Sequence, residues 1–241
     1  MPHVSLYVQI YVLAGGCLTA GLIVVALLRV AKRVGLSPMA IRYLIVGGLY
    51  LLISSVIAYF GGLTSFEQFP PRGVLLLVFW ILAILFLAQS SEFAKLLAAI
   101  PMTALFEIQT FRILAEILIF WLILEEAMPH SMSFTGRNFD ILVPLTAPLV
   151  SYVLFRRQVF APATANRIAI LWNVAGFAIL AITVFTGIFS LPTPKRIFFE
   201  GPSTAIIFAF PFHILPGFWV PLAFGVHVLS ISKLLRERGI A

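Results

Sequence analysis

No Asp, Glu, Lys or Arg falls between Val4 and Leu28, between Tyr43 and Phe66, between Gly73 and Ser91, or between Ile168 and Pro194. A helix crosses a hydrocarbon core in about 20 mostly apolar residues, so each interval has the length of a membrane span. The whole chain is 61% hydrophobic and only 10% charged, against roughly 25% charged in soluble domains. That balance excludes a water-soluble fold.

Apolar runs punctuated by charge, Gly and Pro clusters predict an all-α polytopic protein, a single transmembrane domain over 1–241 with seven helices. The expected spans are about 5–28, 39–60, 73–91, 103–124, 139–155, 168–190 and 206–232, with ends good to a few residues. On one side lie Arg29, Lys32, Arg33, Arg42, Lys95, Arg156, Arg157, Arg167, Lys233, Arg236 and Arg238; on the other, Arg72, Arg137, Lys195 and Arg196. This bias places the basic side in the cytoplasm, the C-terminus with it and the N-terminus outside. The first run lacks a basic residue ahead of it and reads as a retained span rather than a cleaved signal. The net charge of +7 is scattered between spans, so no nucleic acid is expected as a partner; the bilayer is. Cys17, the only cysteine, permits neither an intrachain disulfide nor a thiolate cluster.

The fourth span carries FEIQTFRILAE, residues 106–116. At about 100° per residue, with Glu107 at zero, Gln109 falls near 200°, Arg112 near 140° and Glu116 near 180°. These three share a stripe, while Glu107 stands opposite and reaches toward water. An ionised side chain at a span centre costs about 2.5–3.5 kcal/mol on insertion scales, so the stripe should face protein. Arg112 and Glu116, four apart, are in reach of a pair. The stripe serves either as a polar lock between helices or as a ligand or ion site.

Further polar groups could complete such a site. Asn138 is placed as an N-cap with Asp140 in the first turn; alternatively Asp140 pairs with Arg137 or faces an outer vestibule. Pro144 and Pro148 predict a bend. Asn173 in the sixth span should bond to a neighbouring helix. The last span is interrupted by Pro211, Pro216, Pro221, His213 and His227, and broken spans often form binding sites. No second pair of histidines falls within the spans, so bis-histidine haem is not expected, nor any other cofactor or metal.

IQTFRILAEILIFW, FTGRNFDILVPLTAP, ILWNVAG and PFHILPGFWVPLAFGVH resemble a group of uncharacterised bacterial multi-pass (seven-helix) inner-membrane proteins, from Gln109 to the C-terminus. That resemblance implies the bacterial inner membrane and one recurrent pattern containing Gln109, Arg112, Glu116, Arg137, Asn138, Asp140 and Asn173, without an activity. Seven spans with an outer N-terminus also look like microbial rhodopsins, but the last span holds no mid-span lysine. The small sugar transporters share the count but need a Pro-Gln dipeptide that is missing.

The expected function is binding or transport of a small molecule or ion. Its site draws on Arg112 as cationic anchor, Glu116 as its partner or protonatable switch, Gln109, Asp140, Asn138, Asn173 and His213. The alternatives are a non-transporting assembly or sensor protein, with a membrane protein partner or as a homo-oligomer, and an intramembrane enzyme on lipid or quinone.

Overall fold

A computed structural model describes residues 3–237; Arg238, counted above in the basic tail, lies outside them. The described residues form helices and no strands: α1 (Leu6–Arg33), α2 (Ser37–Tyr59), α3 (Arg72–Gln89), α4 (Ser91–Ala99), α5 (Met102–Glu107), α6 (Arg112–Leu124), α7 (Leu142–Ser151), α8 (Pro162–Phe189) and α9 (Val220–Glu237). Five stretches are long and apolar enough to cross a membrane: α1, α2, α3, α8, and Leu215–Glu237, which comprises α9 and the π-helical turn before it. Outward faces carry Ile45, Leu49 and Leu52 on α2, Leu82 and Phe86 on α3, and Leu171, Ile182 and Phe185 on α8. A soluble monomer rarely exposes large contiguous apolar patches, whereas acyl chains solvate such surfaces. These features point to a membrane protein.

Three expected spans take a different form. The fourth is divided: a 3-10 turn, Ile108–Phe111, joins α5 to α6, with Glu107, Ile108, Phe111 and Arg112 all in right-handed helical geometry. The fifth is shorter than 139–155: α7 starts at Leu142 and ends in a π-helical turn, Tyr152–Arg156. The seventh, expected from residue 206, is continuously helical only from Leu215. Before it lie a 3-10 turn, Thr204–Phe208, and the cis Phe210–Pro211 bond. Proline lacks the N–H that a helix interior needs but is tolerated in the first turn, where Pro216 stands. At the other end, α1 runs past residue 28 to Arg33, with Lys32 and Arg33 in its last turn, where positive charge suits the helix dipole.

The last helix is the hub. In its most apolar window half the residues are buried, against 11% for α2, so α9 is enclosed while α2 is peripheral. The main core joins Val8 and Val12 of α1 to Leu118 and Leu122 of α6 and to Trp219. Gly15 lets that indole approach α1: a Cβ there would lie 3.1 Å from the ring.

Two basic residues of α9 bind the ends of distant helices. The Lys233 ammonium donates to the carbonyls of Leu97 (3.1 Å), Ala98 (2.8 Å) and Ile100 at the C-terminus of α4. Arg236 donates to Ala88 O at the end of α3 (2.8 Å). Helix C-termini leave carbonyls without intrahelical partners and carry partial negative charge, so both cations satisfy a local need.

At the other end of the bundle, Glu125 ties down the start of α1, accepting from the Ser5 N–H (2.8 Å) and the Ser5 hydroxyl. Desolvation opposes ionisation of this carboxyl, but the Ser5 hydrogen bonds, the Tyr7 hydroxyl and His3 outweigh it and hold the pKa below the ordinary 4.5. A depressed carboxylate pKa contributes stability that is complete above the ordinary value and is lost as pH falls through the shifted one. Protection of the amides in the first turn of α1, taken relative to the intrinsic exchange rate at each pH, is therefore expected to fall on acidification below pH 4.5. In Glu125→Gln it should vary little over the same range; equal acid sensitivity in both proteins would show that the tie is not ionic.

Candidate functional site

The 3-10 turn determines where Arg112 points. In a 3-10 helix residues three apart eclipse, so Gln109 and Arg112 stand one above the other, and the Arg112 Nη1 group reaches Gln109 Oε1 at 3.4 Å. Both side chains are buried, Arg112 at 1% and Gln109 at 0% exposure. The polar stripe thus faces protein.

The guanidinium does not take Glu116 as its partner. Asp140, in the turn leading into α7, meets it with both oxygens: Arg112 Nε donates to Oδ2 at 2.8 Å and Nη2 to Oδ1. The planar fork of arginine matches a carboxylate presented end-on. Arg ahead of Glu at i,i+4 is also the less favourable order on a helix. Asp140 therefore does not pair with Arg137, whose guanidinium carbon instead lies 4.3 Å from the Phe198 ring centroid.

His227 of α9 completes the guanidinium's shell, its Nε2 2.8 Å from Arg112 Nη1. Arginine can only donate, so Nε2 accepts and the imidazole is neutral with its proton on Nδ1. Nδ1–H donates to Asn173 Oδ1 (3.0 Å), and Asn173 Nδ2 donates to Ala169 O (2.9 Å). This line of donors runs from α6 through α9 to α8. Gly176 admits the ring, since a Cβ there would come within 2.5 Å of His227 Cε1.

A second arm holds Glu116. Asn138 Nδ2 donates to both of its carboxyl oxygens, at 3.1 and 2.9 Å. Asn138 Oδ1 accepts from the Asp140 N–H (3.1 Å) and the Thr183 hydroxyl (2.9 Å). Asn138 is therefore not the N-cap expected of it, since α7 starts at Leu142 with Ile141 before it and Asp140 lies ahead of the first turn; its amide instead closes the preceding turn and links the two carboxyl groups. Among the described residues the ion pairs are Arg112–Asp140, Arg156–Glu107 and Lys233–Glu237. Glu116 has no salt-bridge partner among them, while Glu107 extends toward water as expected and there pairs with the exposed Arg156.

Arg112, Glu116, Asp140 and Thr183 line one part of a chamber whose cavity volume is about 70 Å³. Its other walls are almost wholly carbon, among them Leu77, Phe111, Ala115, Leu180, Phe208 and Ala223, with Trp219 adding an indole. Trp219 Nε1 and Gln109 Nε2 are buried without hydrogen-bond partners among the described residues. Thus Gln109, Arg112, Glu116, Asn138, Asp140 and Asn173 form one connected network.

His213 does not join them. Its Nε2 lies 3.0 Å from Ser55 Oγ on α2 and its ring stacks on Phe210, and it is not among the chamber's lining residues. The missed members are His227 and Thr183. The interruption of an apolar helix marked His227 as unusual, but nothing local tied it to Arg112; Thr183 carried no signal. Among the described residues no three His, Cys, Asp or Glu side chains gather closely enough to hold a metal ion. No family model, curated protein or solved structure matches the chain.

Proposed function

We propose that the chain is a bacterial inner-membrane protein of seven spans, akin to the multi-pass group whose motifs it resembles, and that it binds or moves a small molecule or ion in the chamber beside Glu116. The observation that carries this reading is one carboxyl group without a cationic partner, lining an apolar chamber. Glu116 is half-buried, and a carboxyl there is costly to ionise without a cation beside it, so an interior serving only stability gains nothing by keeping it there.

The seven-span count draws support from lengths: residues 102–124 extend about 34 Å at 1.5 Å per residue, enough to cross. Residues 142–156 reach only about 22 Å and cross with the help of the preceding turn. An inner C-terminus agrees with Lys233 and Arg236 reaching the ends of α4 and α3 and with Ala31 and Met39 packing on Leu96. These contacts gather most of the basic clusters on one side.

Filling the chamber tests the reading. Wild-type protein purified in nanodiscs is expected to retain a small molecule detectable by mass spectrometry. Ala115→Leu and Ala223→Leu, each adding bulk to a chamber wall, should reduce its recovery roughly tenfold, a difference of about 1.4 kcal/mol in binding. Equal recovery from folded variants would count against the chamber as a binding site. The hydrogen-bonded shell of Arg112 favours a second reading, a polar lock in an assembly partner; stoichiometric co-purification of another membrane protein would support it.

A further inference from the structure

We propose that the chamber's ligand is a lipophilic organic cation, whose ammonium replaces a proton on Glu116. This deepens the reading above and rests on the chamber being a binding site. It follows from counting charge around Glu116, element by element.

On its own helix the neighbouring charge is Arg112, and the turn before α7 supplies Asp140; these two cancel in a bidentate pair. From α9 comes His227, which is neutral because its Nε2 accepts from Arg112. From α8 comes the Thr183 hydroxyl, and from α3 only carbon, Val74 and Leu77. The network minus Glu116 therefore carries no net charge. An ionised Glu116 would leave one uncompensated negative charge beside an apolar space. Its hydrogen bonds come from one amide nitrogen, Asn138 Nδ2, so a carboxylate that can accept about four has capacity left.

The same geometry removes the other ligand classes. An anion would meet Glu116 on the same wall and find Trp219 Nε1 as the unpaired donor among the lining residues, because the fork of Arg112 is taken by Asp140 and its remaining side meets His227 and Gln109. A small inorganic cation needs several oxygen ligands. Around Glu116 the chamber wall adds only the Thr183 hydroxyl, whose single proton lies between Asn138 Oδ1 and Ile179 O as acceptors, and the engaged Asp140. An ammonium on an apolar body fits both halves: the charge to Glu116, the body to the aliphatic walls. Phe111, Phe208 and Trp219 supply aromatic surface, which suits a cation. The exchange balances: one proton leaves the carboxylic acid for water as one ammonium charge enters.

Three probes of one shape and different charge test this on the full chain in neutral-lipid nanodiscs: 2-phenylethylammonium, 2-phenylethanol and phenylacetate. The ammonium is expected to bind roughly tenfold tighter than the alcohol. Calorimetry in buffers of different ionisation enthalpy should show about one proton released per ammonium bound, with affinity falling toward about tenfold per pH unit on acidification. In Glu116→Gln the ammonium should bind no better than the alcohol. The proton count is read on wild-type protein, so it stands even if that variant misfolds. Alcohol or phenylacetate binding as tightly as the ammonium, or no proton release, overturns the cation while leaving the chamber a binding site. Failure of all three probes, together with unchanged recovery from the chamber-filling variants, overturns both readings.

Discussion

Asp140→Ala is expected to lower the unfolding free energy by about 3–5 kcal/mol, the range for removing one partner of a buried ion pair. The loss comes less from the missing attraction than from what stays behind. Arg112 is 1% exposed, and arginine cannot shed its charge by deprotonating. Its Nε and Nη2 groups would lose both of their acceptors, while His227 Nε2 and Gln109 Oε1 already serve Nη1 and the nearest other carboxyl, Glu116, is held by Asn138. Combining Asp140→Leu with Arg112→Met should recover much of the loss, since well-packed apolar side chains often substitute for a buried pair at no net cost. Denaturant unfolding in detergent micelles measures both. A single-variant loss under about 1 kcal/mol, the scale of an exposed pair, would mean that the guanidinium reaches water.

The second large effect is expected at Gly176. Valine there places atoms where the His227 ring now sits, with the new Cβ only 2.5 Å from the ring's Cε1. Overpacking of this kind costs typically about 1–3 kcal/mol, and displacing the imidazole also frees Arg112 Nη1 and Asn173 Oδ1. Gly187→Ala on the same helix is the control, since its Cβ would meet Met132 at an ordinary 3.6 Å. The nitrogen shifts of His227 report the mechanism directly. In wild type they should show a proton on Nδ1 and an acceptor at Nε2, and in Gly176→Val that pattern should disappear. A stable Gly176→Val protein with the wild-type nitrogen pattern would show that the ring has room to spare.

The helical class was legible because long runs without charge leave few alternatives, and five of them appear as helices of spanning length and composition. The inward turn of Arg112 was legible for the same reason, since hydrocarbon does not solvate a guanidinium. Its partner was not. Spacing along one helix suggested Glu116, but Asp140 lies 28 residues away and arrives through a turn whose path no local rule sets. The 3-10 turn at Ile108–Phe111 was equally hidden; it changes the angular step within the stripe, so a wheel with one fixed period misplaces its members. His213 and His227 interrupt the same apolar stretch, yet one meets Ser55 and the other the buried cation. Only packing separates them. Prolines placed the irregularity of the last span correctly, but not the residue at which regular helix begins.

The ammonium of Lys233 has a bearing on the order of assembly. It closes off the carbonyls of a nine-residue helix that left the ribosome well over a hundred residues earlier. Until residue 233 emerges, Leu97 O has the Ile100 N–H to accept from (3.2 Å), while the Ala98 and Ile100 oxygens lack the ammonium that later binds them. The base of the bundle therefore stays unsealed until residue 233 has been made, and a nascent protein cut short before it would remain open at that end.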